Sequence, residues 1–467
     1  MKLYIYVQHL SHAYFYLGLF NHLPHKNIVV FTENISLYYT IKYQKKFKRV
    51  FHKVYLIPRF KEKRTEVCER ELELRELKIL NYIIQYFRKS PEEAKSEYLF
   101  KVKWIADRIT EKSLGFCWSG NKSEPLAFAK AIMSLSGVVI FGEITNFPQT
   151  VYMDTKGTNF YSSIRDQYIA SANNEDIPDE TFKSKLLKLK TEQKKIPQSN
   201  LKKIIKFYFF ISGIQNFLMR NGARFHFLKI LKDKIIINLF MKQFISQLIK
   251  KGEWIDLNNF NIPVVNKTKY SILVPLQVYS DTQLHVFSRF KSPMDYIKFI
   301  ISIIDSNMEV HFKLHPAEKN KYNKIIKKII SSVTKKYPNI KLVDNIDLLN
   351  YDAIATINST FGIDGLLRNI KIISFGESLY SGFDFALSYS DKYVNLRYAI
   401  ETYNEHVNPE KFNLFSKIIY ENFYHFNYFG DSDITKNISN DLFEKSISRL
   451  LNKIVEIENN ISYSHLN

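Results

Sequence analysis

Three strand-like apolar runs in the second half of this chain end on residues able to handle a phosphate or a sugar. EVHFKLHP ends on His315 and Pro316, AIATINSTFG carries Ser359 and Thr360 before Gly362, and SILVPLQVYSD runs out at Asp281. Proline has no N–H and disfavours helix for its predecessor, so the chain should turn at His315 and leave the imidazole in the crevice beyond the strand. An imidazole there can donate to a phosphate oxygen as a leaving group departs. A satisfied turn or core histidine would read the same way.

Ser359 and Thr360 stand where a strand gives way to a helix, the usual place for a capping hydroxyl. The free N–H groups and dipole of a helix start also favour an anion, and Gly362 allows a close backbone approach. Asp281 could be a nucleophile toward an anomeric carbon, a general base, or simply a cap. Glu143, at the end of VVIFGEI in the first third of the chain, is the natural opposing carboxylate. Paired carboxylates across a cleft are the usual equipment for glycosyl transfer or hydrolysis.

The elements that must position these groups read as alternating strands and helices. KLYIYV, NIVVFTE, VFHKVYLIP, LGFCW and VVIFGEI are short β-rich runs with helical or polar stretches between them. That rhythm predicts βα units and a largely parallel sheet. A second series runs SILVPLQV, PMDYIKFIISIID, EVHFKLHP, NKIIKKIISSVTKKY, IKLVD, AIATIN, FGIDGLLRN and KIISFGE, and predicts a doubly wound sheet with ligand at the carboxyl ends of its strands. Between the two, residues 182–255 are rich in lysine and aromatic residues and read as a helical insertion. The expected domains are 1–262, 263–400, and closing helices over 401–467, including FNLFSKIIYENFYHF and ISRLLNKIVEIE.

A length of 467 residues suggests more than one domain, and 45% hydrophobic against 24% charged residues is a globular composition. A net charge of +21 points to an anionic partner: nucleic acid, an anionic membrane leaflet, or a phosphorylated substrate. The two cysteines lie far apart, which argues against a disulfide framework or a structural zinc site and fits a reducing cytoplasm. The opening residues read as a first strand rather than a leader, and no apolar run is long enough to span a bilayer.

Dinucleotide, P-loop and serine-hydrolase fingerprints are missing from the sequence. Asp431-Ser432-Asp433 looks like a metal-binding pair but fits helix capping better. His9, His12, His22 and His25 match no metal-ligand spacing and are expected to line the mouth of the first domain. The basic, aromatic helices suit an anionic membrane surface better than nucleic acid, for which no recognised module surrounds them.

Four blocks, FGEITNFPQTVYMDTKGTNFYSS, ILVPLQVYSDTQL, FKLHP and INSTFGIDGLLRNIKIISFGESLYSGFDFA, give the chain a resemblance to the capsule polysaccharide biosynthesis family, the KpsS/KpsC-type bacterial β-Kdo glycosyltransferases. The resemblance implies an α/β, GT-B-like fold of two Rossmann-like domains, with final helices crossing back to the first. It implies Asp281 as the nucleophile of a retaining reaction, Glu143 as acid/base, and His315 and Ser359 on the phosphate of CMP-Kdo. Lys313, Thr360, Gly362 and Asp364 complete the implied donor site. The chain departs from the family at Asp364, where Glu is usual, and at Asp384-Phe385-Ala386, where Gly-Leu-Thr is usual.

The expected function is therefore transfer of Kdo from CMP-Kdo to a glycolipid or lipid-linked saccharide, without a cofactor or metal. The enzyme is expected at the inner face of the cytoplasmic membrane beside other capsule assembly proteins. A CDP-glycerol-type glycerophosphotransferase, a sialyltransferase, or a non-catalytic assembly or export factor remains open at this stage. The two enzyme alternatives would keep His315 and Ser359 without needing Asp281 as a nucleophile.

Overall fold

The computed structural model describes residues 2–192 and 270–463, apart from 24–26, 59, 61–71, 88, 111, 174–176, 280, 306–307, 317–320, 345, 391 and 429–432. The expected insertion over 182–255 therefore lies, beyond Glu192, outside the described residues. Its first turns do belong to a helix, Thr181–Glu192.

The first sheet holds β1 (Leu3–Tyr6), β2 (Ile28–Thr32), β3 (Phe51–Leu56), β4 (Leu114–Trp118), β5 (Val138–Ile144) and β6 (Thr150–Asp154). The second holds β7 (Tyr270–Pro275), β8 (Met308–Lys313), β9 (Ile340–Val343), β10 (Ala353–Thr356), β11 (Lys371–Ser374) and the two-residue β12 (Leu387–Ser388). A late strand, β13 (Phe423–His425), returns to the first sheet, which runs β13-β6-β5-β4-β1-β2-β3. The second runs β12-β11-β10-β7-β8-β9 and is parallel at every pairing.

Leu-Tyr-Ile-Tyr in β1 and Leu-Gly-Phe-Cys-Trp in β4 are buried throughout, the pattern of strands covered on both faces. Register follows from that burial, with Leu3 opposite Ile28 on one side and Leu114 on the other. In both sheets the chain works outward from a central pair of strands in opposite directions, β1 beside β4 and β7 beside β10. This is the Rossmann strand order, and the crevice beyond such a central pair is where these folds bind ligands.

Two compact units form around the sheets. Met1–Ile164 clusters with Ile419–Asn467, while Arg165–Leu187 clusters with the part of the chain that ends at Ile418. In the first unit, Phe15 and Leu19 of helix Leu10–Asn21 share a core with Leu450 and Ile454 of helix Asn440–Tyr463. In the second, Ile297, Ile300 and Ile301 of helix Pro293–Ser302 and Ile326, Ile330 and Val333 of helix Lys321–Lys336 fill the core on the sheet. No helix among the described residues is long and apolar enough to cross a membrane.

The α/β class expected from the sequence is the class observed. Two local readings change. FNLFSKIIYENFYHF is helical only over Lys411–Asn422, after which Phe423, Tyr424 and His425 pair antiparallel with Tyr152, Val151 and Thr150. Their alternate aromatic side chains belong to a sheet edge rather than a helix face. The partner strand β6 is itself the return arm of a hairpin from β5, hidden in the sequence by the polar link Asn146–Gln149.

Candidate functional site

Three neighbouring strands of the second sheet, β10, β7 and β8, deliver most of the predicted site residues to its carboxyl edge. Past β7 the chain folds into a tight loop in which the Asp281 N–H donates to the Val278 carbonyl. Asp281 then caps helix Thr282–Val286, its carboxylate accepting from the Gln283 N–H at 2.9 Å. The capping role is thus realised, and it orients the carboxylate.

Beside it lies a network that the sequence did not single out. Asn358, just past β10, donates to the carbonyls of Gln283 (2.8 Å) and Glu377 (3.3 Å), which fixes its amide so that its oxygen accepts. The buried Gln277 donates to that oxygen, tying the loop beyond β7 to the loop beyond β10. Its own Oε1 meets no donor among the described residues. The signal for Gln277 was present in the sequence, as the first residue of the Gln-x-x-x-Asp spacing.

Lys313 ends β8 and donates to the Asp344 carbonyl past β9. His315 follows two residues later and is exposed. Past β10, the Ser359 hydroxyl accepts from the Phe361 N–H at 3.3 Å, while Thr360 is exposed and makes no side-chain cap to helix Phe361–Leu366. Asp364 lies in that helix's first turn, half-buried.

Gly362 is needed for a different reason from the one the sequence suggested. A Cβ there would overlap the Tyr380 ring, so its open space is taken by protein rather than left for a ligand. Tyr380 is fully buried and donates to the Ser359 carbonyl at 2.7 Å. The Ser-x-x-Gly and Gly-x-x-x-Tyr halves of the last sequence block are therefore two sides of one contact.

The Tyr380 loop is itself held by Arg165. One guanidinium nitrogen donates to the carbonyls of Ser378 (2.8 Å), Ser381 (2.8 Å) and Leu379 (3.2 Å), and the group lies over Phe383. Desolvation pulls the Arg165 pKa down to about 10. Asp384-Phe385-Ala386, where the chain departs from the family pattern, makes framework contacts. Asp384 accepts from Tyr168 and pairs with Lys411, and Phe385 packs on Phe412 and Phe415.

Glu143 belongs to the other unit. It lies near the end of β5 opposite Tyr152, half-buried, with an oxygen accepting from the Ile144 N–H. Around it, the first sequence block forms the β5–β6 hairpin and a turn built on Asp154, whose carboxylate accepts from Lys156 N, Gly157 N, Ser162 Oγ and Ser163 N and Oγ. Arg75 donates to the carbonyls of Gly120 and Lys156, locking the loop after β4 to this turn. Neither arginine was legible in the sequence, since each acts on backbone carbonyls far along the chain.

Of the histidines, His9 and His12 stand at the start of helix Leu10–Asn21, His22 packs on Phe443, and His25 lies outside the described residues. So do Asp431 and Ser432, whereas Asp433 accepts from the Thr435 N–H as a turn cap.

The molecule is thus an α/β protein with two Rossmann-ordered sheets and its polar sequence blocks at their carboxyl edges. Residues 223–392 match the family model described as capsule polysaccharide biosynthesis protein. No curated protein sequence matches it significantly.

Similar solved structures include the Thermosulfurimonas dismutans KpsC β-Kdo 2,7 transferase, at 14% identity and a TM-score of 0.33, covering 71% of this chain and 87% of that one. The β-Kdo 2,4 transferase of the same organism's KpsC is 14% identical with a TM-score of 0.27, covering 74% and 96%. A UDP-GlcNAc 2-epimerase from Neisseria meningitidis is 10% identical with a TM-score of 0.24, covering 90% and 99%.

Proposed function

We propose that this protein is a GT-B-type glycosyltransferase of capsule or related surface-polysaccharide synthesis. It moves Kdo from CMP-Kdo to a glycolipid or lipid-linked saccharide with retention at the anomeric carbon. The observation that carries the reading is the position of Asp281, Lys313, His315 and Ser359 at or just past the ends of three adjacent strands, including the central β7/β10 pair.

In this reading the Asp281 carboxylate attacks the anomeric carbon as the bond to the CMP phosphate breaks. Lys313, His315 and the Ser359 turn stabilise the charge that collects on the departing phosphate. A single phosphate asks less of the protein than a diphosphate does, so no metal or cofactor is assigned. The acceptor hydroxyl then attacks the glycosyl ester, gives its proton to Glu143, and restores Asp281. A net charge of +21 suits an enzyme working on the anionic inner face of the cytoplasmic membrane among other capsule proteins.

Intact-protein mass spectrometry after incubation with CMP-Kdo, generated in place, tests the donor half. One added Kdo mass on the wild type and none on Asp281→Ala is the expected result. Failure of the wild type to form an adduct or release CMP, with lipid acceptor present, would remove Kdo as the donor.

A further inference from the structure

The carboxyl edge of the first sheet carries a second set of groups that the donor reading does not use. His9 precedes helix Leu10–Asn21 in extended conformation but places no side-chain hydrogen bond on the helix start, and the first turn contains no acidic residue. The positive end of this 12-residue helix therefore gets no cap from His9 and no carboxylate from its own first turn. His12, in the same turn, is buried, and its Nδ1 meets no hydrogen-bond partner among the described residues. A buried polar atom left unpaired is costly, so such an atom at a helix start asks for a ligand.

The His12 ring lies 5.1 Å from that of His9 and 5.5 Å from that of Trp118, which ends β4. It therefore stands between the helix start and the central β1/β4 pair, where this fold binds ligands. Trp118 stacks on Tyr428 at 4.3 Å, and the Tyr428 hydroxyl is 3.3 Å from Ser11 Oγ. Lys122 begins the next helix without capping it, close enough for its charge to lower the pKa of both imidazoles, after burial as the larger cause.

Glu124 lies 3.6 Å from buried Lys101, and Glu143 acts on Tyr428, whose pKa it helps to raise after burial.

We propose that this edge binds an anionic group, phosphate or carboxylate, of the acceptor, held by the helix start, His9, His12 and Lys122. Naming the ligand as acceptor rests on the transferase reading, whereas the anion seat rests on the geometry alone. Trp118 pairs across the sheet with Gly142, the residue before Glu143, which brings the seat next to the group assigned to take the acceptor's proton.

The test titrates the full chain, without donor, at low ionic strength. One arm uses sn-glycerol 3-phosphate and the other glucuronate, read by imidazole and Trp118 indole resonances. Saturable movement of the His12, His9 and Trp118 signals is expected. The arm that saturates at lower concentration identifies phosphate or carboxylate as the preferred group. His12→Gln and Lys122→Gln should each weaken binding about tenfold or more. If His12→Gln does not fold, Lys122→Gln carries the comparison.

Absence of saturation in both arms overturns the proposal, as does binding of undiminished strength in the folded variants. Because no donor is present, these outcomes are independent of the Asp281 adduct, so either reading can fail without the other.

Discussion

Beyond β1 and β4 the chain gathers aromatic rings, two imidazoles and an uncapped helix start, whereas beyond β7 and β10 it gathers amides, hydroxyls and the helix-capping Asp281. The strand order is the same in both sheets. What differs is how the loops are held. In the first unit the Arg75 guanidinium fastens the carbonyls of Gly120 and Lys156 under a largely buried edge. In the second, Arg165 fastens Ser378, Leu379 and Ser381, and the residues beyond, His315 and Thr360, are exposed. One architecture thus supplies two strand-end edges of different polarity.

The sharpest way to break this division is to compare the two carboxylates. Asp281→Ala should reduce transfer to background and abolish the covalent adduct. Glu143→Gln should slow transfer by about 100- to 10,000-fold while the adduct still forms and accumulates. Single-turnover assays with mass detection separate the two. Loss of adduct in Glu143→Gln would show that the first edge also serves the donor half of the reaction.

Next in size is an electrostatic cluster in the first unit. Lys101 is buried against Glu33 (3.1 Å), Glu97 (3.0 Å) and Glu124 (3.6 Å). Lys101→Met should destabilise the first unit by about 3–5 kcal/mol, because three carboxylates lose the cation they surround. Burial, the largest cause, raises the Glu33 pKa to about 7 against the pull of Lys101. A carboxyl with a raised folded-state pKa binds more protons folded than unfolded across that interval, so its contribution falls as pH rises through it. Glu33→Gln should therefore flatten the loss of thermal stability between about pH 4.5 and 7, as followed by melting at several pH values. An unchanged profile would remove Glu33 as its source.

The strands of both sheets were legible because buried parallel strands are continuous apolar runs, as in Leu3–Tyr6 and Leu114–Trp118. β6 and β13 were not, because Thr-Val-Tyr-Met-Asp is short and follows polar residues, and Phe-Tyr-His continues a helical pattern without a break. In the candidate site, residue types at strand ends pointed to Asp281, His315 and Ser359. The framework behind them stayed hidden. Arg165 meets its carbonyl partners more than two hundred residues along the chain, and nothing in Ser-Ile-Arg-Asp announces that. Gly362 was noticed for what glycine permits, but only the packed structure reveals Tyr380 in the space a side chain would need.

That contact gives the two smaller predictions. In Gly362→Ala the new methyl would overlap the Tyr380 ring, and strain of about 1–3 kcal/mol should lower the second unit's melting temperature. The Ser359 turn should shift with it, so the donor KM should rise more than kcat falls. Tyr380→Phe keeps the ring and removes only the O–H that reaches the Ser359 carbonyl, a loss of about 1 kcal/mol. If the turn positions the donor phosphate, donor KM should rise several-fold while the first edge's affinity for small anions stays as in the wild type. A Tyr380→Phe variant with unaltered donor KM, but a lowered melting temperature, would reduce this contact to packing and leave His315 and Lys313 as the phosphate's remaining candidates.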